Sequence, residues 1–392
     1  MIIDRPLVPV SSKAVRRVLG GHPWVFSGEI ERIPSGLEPG SLVHAVDLRG
    51  RVLGTYLYSS VSDIALRRIG EANQTLSETD LEWRMRKAND LRQRWLPGTS
   101  AYRVVHAESD ALPGLVVDRY GDCLSVQLLC QAMDRLKDGM VVGLVRIFSP
   151  SAIVLRNDAP QRRLEGLPEA VEIAHGETDG LVPFKEGEAT LLADLRKGQK
   201  TGAFLDQRDN HLALARYAGD KALDLFSYTG GFGIHLARKG ASVTAVDSSS
   251  PALGHARQVA AMNGVADRYE TVEANAFDFL RSAVSEGRVY DTVIIDPPPM
   301  ARSRSEVEGA RRGIKDLVLM SLRLMKYGGT LVLCSCSHHL GSSMLMDEVE
   351  AASIDVSKRI LLLEQRGQPA DHPILVGFPQ SRYLTCLIFQ VL

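Results

Sequence analysis

Three stretches of this chain combine residue types and spacings that could do chemistry. In ALDLFSYTGGFGIHLARKGASVTAVD, from Ala222 to Asp247, a short apolar run is followed by Gly230, Gly231 and Gly233 and by an amphipathic segment, Phe232 to Lys239. Glycines after a strand let the backbone turn tightly and come close to a ligand. Asp247 closes the next apolar run, where an acid roughly 20 residues past the loop can accept both hydroxyls of an adenosine ribose. In YDTVIIDPPPM, Pro297 and Pro298 fix the backbone beyond a buried strand and hold Asp296 at its C-terminal end. In GGTLVLCSCSHH, a strand expected to start at Gly328-Gly329, alternation puts Cys334 and Cys336 on one face, with Cys336 nearer the ligand-facing edge.

The loop spacing separates adenosine cofactors. A dinucleotide fingerprint needs a third glycine, and counting from Gly231 and Gly233 that place is Leu236. The loop has no Lys-Ser/Thr pair, which excludes a phosphate-cradling P-loop. S-adenosylmethionine has no pyrophosphate and tolerates a loop such as FSYTGG, so methyl transfer is favoured over hydride transfer. A thiolate adding to carbon-6 of a pyrimidine would make carbon-5 an enamine able to attack a sulfonium. Cys336 also reads as an ordinary buried strand cysteine, or as part of a zinc site with Cys334, His338 and His339 that lacks the usual paired spacing. Asn275 and Phe277, in NAFDFL, could hydrogen-bond and flank an adenine, or Asn275 could make its own turn.

These residues need a parallel sheet to hold them, and from about Ala189 the chain alternates strand and helix as a doubly wound α/β sheet does. Residues 1–72 carry short strand-like runs at Ser41–Val46, Arg51–Tyr58 and Ala65–Ile69, expected to form a small β-barrel. Before them Lys13, Arg16 and Arg17 share a helix and precede His22, Trp24 and Phe26, a mixture suited to RNA, although aromatics in so small a barrel are more often core than base platforms. Residues 73–188 are expected to hold a linker helix and an α+β module. The helix runs from Ser77, a good N-cap, to Trp95, with Pro97-Gly98 as its stop. Arg84, Arg86, Lys87, Arg92 and Arg94 read as its solvated face. The module has a hairpin turning at Tyr120-Gly121-Asp122, a helix over Asp134–Phe148 and a strand at Ile153–Arg156. Residues 189–392 form the third part.

At 392 residues, with 45% hydrophobic and 24% charged residues, the chain suits a soluble protein of two or three domains. A net charge of -1, from 46 basic and 47 acidic residues, leaves no bulk attraction to nucleic acid, so an RNA surface must be a local patch. The odd count of five cysteines and the absence of a signal-peptide pattern in MIIDRPLVPV point to reduced thiols in the cytoplasm. No apolar run suggests a membrane span.

FSYTGGF, VD, DPP, RRGIKDL and SCS, with KTGAFLDQRDN, ESDALPGLVVDRYGD and GHPWVFSGEI upstream, resemble the RlmI-type large-subunit ribosomal RNA cytosine-5 methyltransferases over nearly the whole chain. The resemblance implies an N-terminal PUA domain that binds RNA, a central α+β domain, a Rossmann-like class I methyltransferase domain, S-adenosylmethionine as donor and often a homodimer. Carried over by position, Phe226, Ser227, Tyr228, Thr229, Gly230, Gly231 and Phe232 hold the methionine end, and Asp247 with Ser248 the ribose. Asn275, Ala276 and Phe277 line the adenine, while Asp296 and Pro297 lie between cofactor and target. Cys336 is then the nucleophile and Asp296 its catalytic partner, with Lys315 and Asp316 as candidate bases. Lys200 and Arg208 join Lys13, Arg16, Arg17, His22 and Trp24 as candidate RNA contacts, and no metal is implied. The chain departs from the pattern at Pro299 and Met300, where a lysine and an aromatic are usual, at His211 for an arginine, and at Asn275 for a frequent aspartate. Methylation of an exocyclic amine or a guanine nitrogen, or RNA binding without catalysis, are the rival readings.

Overall fold

The computed structural model describes residues 5–96 and 99–392. Two compact units emerge: residues up to Phe184 with Ala193–Leu205 and Ala370–Ser381, and Lys185–Leu192 with Asp206–Pro369 and Arg382–Leu392.

In the first unit, five strands pair in the order Leu7–Pro9, Leu42–Val46, Val52–Tyr58, Ile64–Gly70 and Trp24–Phe26. A bridge between Val10 and Ile30, just past the two edge strands, joins the ends of this curled sheet. Val8, Val25, Val43, Tyr56 and Leu66 fill its core. The helix Ser12–Leu19, capped by Ser11, packs Ala14 and Val18 inward and leaves Lys13 and Arg16 exposed. A second sheet has the order Ala170–Gly176, Ala152–Asn157, Cys123–Leu128, Leu115–Tyr120, Ala101–His106, and its hairpin turns at Gly121 as expected.

The helix Glu78–Trp95 begins with a reciprocal box between Ser77 and Asp80. Pro97 and Gly98, its expected stop, lie outside the described residues. One expectation is corrected here. Arg86, Lys87 and Arg94 are exposed, but Arg84 and Arg92 are buried. Arg84 donates to the carbonyls of Ile69 and Ala111, and Arg92 makes a bidentate pair with Asp110 at 2.6 and 2.7 Å. Five forked donors let a guanidinium enter a core once carbonyls and a carboxylate meet it, so counting charges along the helix could not identify its outer face.

The second unit is built on seven strands: β1 (Lys221–Leu225), β2 (Ser242–Asp247), β3 (Tyr269–Glu273), β4 (Tyr290–Ile295), β5 (Met325–Ser335), β6 (Ile360–Arg366) and β7 (Thr385–Val391). Their order is β3-β2-β1-β4-β5-β7-β6, parallel except that β7 runs against both neighbours. Helix α1 (Arg208–Leu214) precedes β1, and α2 (Gly231–Arg238), α3 (Ser250–Met262), α4 (Ala276–Ser285), α5 (Val307–Arg323) and α6 (Ser342–Asp355) link successive strands. The order reverses between β1 and β4, which makes the carboxyl ends of those strands the ligand crevice of an open α/β sheet.

Two local expectations change. Helix α2 is buried all round from Phe232 to Ala237 rather than amphipathic, because it packs between strands and neighbouring helices. Gly328 and Gly329 do not start β5. It begins at Met325, and the register jumps from Tyr290↔Met325 to Thr292↔Thr330, so the glycines lie in a bulge.

Candidate active site

The loop from β1 to α2 is strained where a ligand loop would be. Phe226 and Tyr228 take φ of 61° and 48°, and Gly230 takes 91°. Bulky residues in the left-handed region are rare, cost free energy and gather at functional sites. The glycines serve close packing from below. A Cβ on Gly230 would stand 2.5 Å from Tyr269 Oη, one on Gly231 2.4 Å from His211 Cε1, and one on Gly233 2.9 Å from the Asp224 carboxylate. Asp224 accepts from the Gly233 N–H at 2.9 Å. Burial pushes its carboxyl up to about 7; the Gly233 bond and His211 oppose that, while Asp296 and Asp247 add to it.

Asp247 is half-buried at the end of β2 and accepts from the backbone N–H of Tyr228 and of Ser249, each at 2.8 Å. One bond goes to each oxygen, and an ionised carboxylate has about four acceptor positions, so two remain for other donors. Ser248 beside it is exposed. Ser227 Oγ and Tyr269 Oη are buried with no hydrogen-bond partner, a costly condition away from a ligand. Asn275 is the N-cap of α4: its Oδ1 accepts from the N–H groups of Phe277 and Asp278 at 2.9 and 3.4 Å. Its oxygen therefore makes the local turn, and the exposed residue still carries its amide donors. Ala276 is buried and Phe277 half-buried, and Phe277 and Met300 both lie over Gly313 of α5.

Asp296 leaves the end of β4. Gln207 Nε2 donates to its Oδ2 at 2.9 Å, Asn210 donates to Gln207 Oε1 at 2.7 Å, and Arg366 donates to Asn210 Oδ1 at 3.1 Å. This relay fixes the carboxylate's orientation, and neither amide was singled out by motif. Pro297 is buried behind it, whereas Pro298 and Pro299 are exposed. In the adjoining β5, Leu333 pairs with Ile295, so Cys334 continues beside Asp296 and Cys336 falls two residues beyond.

The two cysteines differ. Cys334 faces Cys386 across β7 and is fully buried; burial, then the neighbouring thiol, pushes its pKa well up. Cys336 lies one residue past the strand and is half-buried between the buried Ser335 and Ser337. The zinc option is not assembled. Among the described residues, the one group of three such side chains with donor atoms within 4.8 Å of one another is Glu186, His211 and His235. Those three are joined by hydrogen bonds. Lys315 is paired with Asp355 at 2.9 Å.

The expected RNA contacts divide. Arg17 pairs with Glu29, donates to Trp24 O at 3.0 Å and lies over the Phe26 ring, so it is a structural cation. His22 is buried against Trp24 and Phe378, and half-buried Trp24 donates its indole N–H to Glu108. Arg208 is buried and donates to Asp209. Only Lys13, Arg16 and Lys200 of the set are exposed, with Lys200 over the Phe204 ring. A cavity of about 510 Å³ opens at the opposite edge of the second unit's sheet, by Lys221, Ser242, Arg268 and Tyr290, at the amino ends of the strands.

Comparison with known proteins gives the family and the fold. The profile of a PUA-like domain fits residues 8–70, and that of an S-adenosylmethionine-dependent methyltransferase fits residues 162–374. A protein of Shewanella amazonensis named ribosomal RNA large subunit methyltransferase I is 36% identical over the full length of both chains. Its namesake in Klebsiella pneumoniae is 34% identical over 97% of this chain and 96% of its own. The chain belongs to the ribosomal RNA large subunit methyltransferase I family. The solved structure of SMU.776 in complex with SAH has the same fold, with a TM-score of 0.85 at 21% identity over 98% of this chain and all of that one. The protein is thus an S-adenosylmethionine-dependent methyltransferase with an N-terminal PUA-like domain. The unpartnered Ser227 hydroxyl and the two open acceptor positions of Asp247 fit that cofactor. No helix among the described residues is long and apolar enough to cross a membrane.

Proposed function

We propose that this enzyme methylates carbon-5 of a cytosine in large-subunit ribosomal RNA, with Cys336 as nucleophile. The observation that carries this reading is the pair of strand ends: Asp296 after β4, oriented by Gln207, beside β5, which buries Cys334 and is followed at once by the half-buried Cys336. The names of the relatives supply the RNA. Residues 1–72 act as the RNA-binding PUA part, 73–188 as the central domain and 189–392 as the methyltransferase domain. Phe226 to Phe232, Asp247 with Ser248, and Asn275 to Phe277 hold the cofactor. When bound, the cofactor supplies an electrophilic methyl group.

The target cytosine must leave its stack, at a cost of a few kcal/mol. Cys336 adds as thiolate to carbon-6, forming a carbon–sulfur bond and shifting electron density to carbon-5, while Asp296 hydrogen-bonds the ring or its amine. After carbon-5 is methylated, loss of its proton re-forms the double bond and expels the thiolate. Replacing Cys336 by Ala abolishes methylation of ribosomal RNA incubated with labelled S-adenosylmethionine, and mapping the wild-type product finds methylcytosine. Unchanged turnover in the variant, or label on an amine or a guanine nitrogen, would refute the reading.

A further inference from the structure

A charged cluster beneath the glycine loop has no part in the proposed methyl transfer. Glu186, at the end of the strand Leu181–Glu186, is 2% exposed, and its Oε1 is bonded to His211 Nδ1 at 2.7 Å and to His235 Nε2 at 2.9 Å. His211 comes from α1 and His235 from α2, and both are buried. These separations are hydrogen-bonding ones, since ligands arranged tetrahedrally at about 2.0–2.2 Å from zinc stand roughly 3.3 Å apart.

An ionised carboxylate only accepts, so both ring nitrogens facing Glu186 carry protons. That leaves His211 Nε2 to choose its state. The Cε1–Nε2 edge of the ring is pressed on the first residue of α2: a Cβ on Gly231 would stand 2.4 Å from Cε1 and 2.7 Å from Nε2. Phe232 meets the ring edge-on at 4.4 Å. The titratable groups acting on it are Glu186 from its strand, Asp224 from β1, Asp296 from the end of β4, and His235 from α2.

We infer that His211 is a positioning residue for cofactor binding: a buried imidazolium, held by Glu186, that fixes the first turn of α2 and adds positive potential where the cofactor's carboxylate end is received. The inference rests on reading Phe226 to Gly231 as the methionine-binding loop. Three carboxylates around one ring favour its charged form. Burial works against that charge, but Glu186 first, then Asp296 and Asp224, outweigh it and hold the His211 pKa above its ordinary 6.5. Burial likewise works against the Glu186 charge, yet the two histidines bring its pKa down to about 2. A helix N-terminus with a cation under it is a favourable place for an anion.

The test is calorimetric titration of S-adenosylmethionine into the full chain from about pH 6 to about pH 9, for wild type, His211→Gln and His211→Arg. If cofactor binding raises the His211 pKa by one unit, wild-type affinity falls about tenfold as the ring deprotonates. His211→Gln is expected to bind weakly with no slope, and His211→Arg tightly with no slope. A thermal melt of each variant confirms that it is folded, and His211→Gln alone is decisive should the larger arginine not be accommodated. Retention of the wild-type slope in His211→Gln would assign it to Asp224 and overturn the inference. So would one bound metal equivalent per chain whose removal by chelator reproduces the loss. Wild-type binding that is flat with pH removes only the role of His211, whereas no binding at any pH removes the cofactor loop itself.

Discussion

The arginine–acid pairs of the first unit and the acids at the crevice of the second use charge in opposite ways. In the first, arginines are matched to acids, three of them buried and one half-buried: Arg67 with Glu165 at 2.7 Å, Arg92 with Asp110 at 2.6 Å and Arg162 with Asp134 at 2.8 Å, and the half-buried Arg103 with Asp118 at 2.8 Å. In the second, the acids at the strand ends accept from amides: Asp224 from Gly233 N–H, Asp247 from Tyr228 N–H and Asp296 from Gln207. A guanidinium–carboxylate fork satisfies both partners and leaves little for a ligand. An amide satisfies one acceptor position of a carboxylate and orients it, and at Asp247 two acceptor positions stay available. Charge in the first unit therefore holds structure, and on the proposed reading charge at the crevice of the second serves binding and chemistry.

The largest effect should come from breaking one of the matched pairs. Arg92→Ala leaves Asp110 buried without its cation, and removing one partner of a buried pair costs about 3–5 kcal/mol. The carbonyls of Arg103 and Asp371 also lose a donor. We expect the urea midpoint to fall accordingly, while the protein that remains folded binds S-adenosylmethionine as before. A fall in cofactor affinity without loss of stability would break the contrast between the units.

The contrast also explains what could be read from the sequence. Strand and helix placement in the second unit was legible because the period changes sharply, and Asp247 and Asp296 follow apolar runs that can only be strands. Arg84 and Arg92 were not, because the carbonyls that receive them, those of Ile69, Ala111 and Arg103, lie outside the helix and reach it only through the fold. For the same reason Glu186, Gln207, His235 and Tyr269 went unrecognised: each meets its partner only after folding, Glu186 and His235 each other, Gln207 Asp296, and Tyr269 the space over Gly230. His211 was visible as an unusual residue, yet its partner Glu186 precedes it by 25 positions. The strain at Phe226 and Tyr228 has no composition signal, since neither is a residue that favours positive φ.

The converse substitution is Asp247→Ala. Hydrogen bonds to a charged group contribute about 1.5–3 kcal/mol each, so losing the ribose contact should weaken S-adenosylmethionine by roughly tenfold to a hundredfold in calorimetric titration. Stability should change less, because the Tyr228 and Ser249 N–H groups released lie at a half-buried site where water can replace the carboxylate. If the midpoint falls as far as in Arg92→Ala, Asp247 is structural and the crevice is held together as the first unit is.

The smallest effect tests the contrast within the first unit, where three cations lie close together in sequence but not in environment. Arg17 is tied to Glu29 and covered by Phe26, whereas Lys13 and Arg16 stand exposed on the same helix. Each phosphate contact contributes about one to the slope of log affinity against log salt. Replacing Lys13 and Arg16 together by Ala should lower that slope by up to about two for a ribosomal RNA fragment and leave the unfolding midpoint in place. Arg17→Ala should do the reverse, lowering the midpoint with little change in salt slope. A reduced slope in Arg17→Ala at unchanged stability would mean that its ion pair opens to RNA, and the division between structural and ligand-facing charge would then fail inside the unit where it is drawn most sharply.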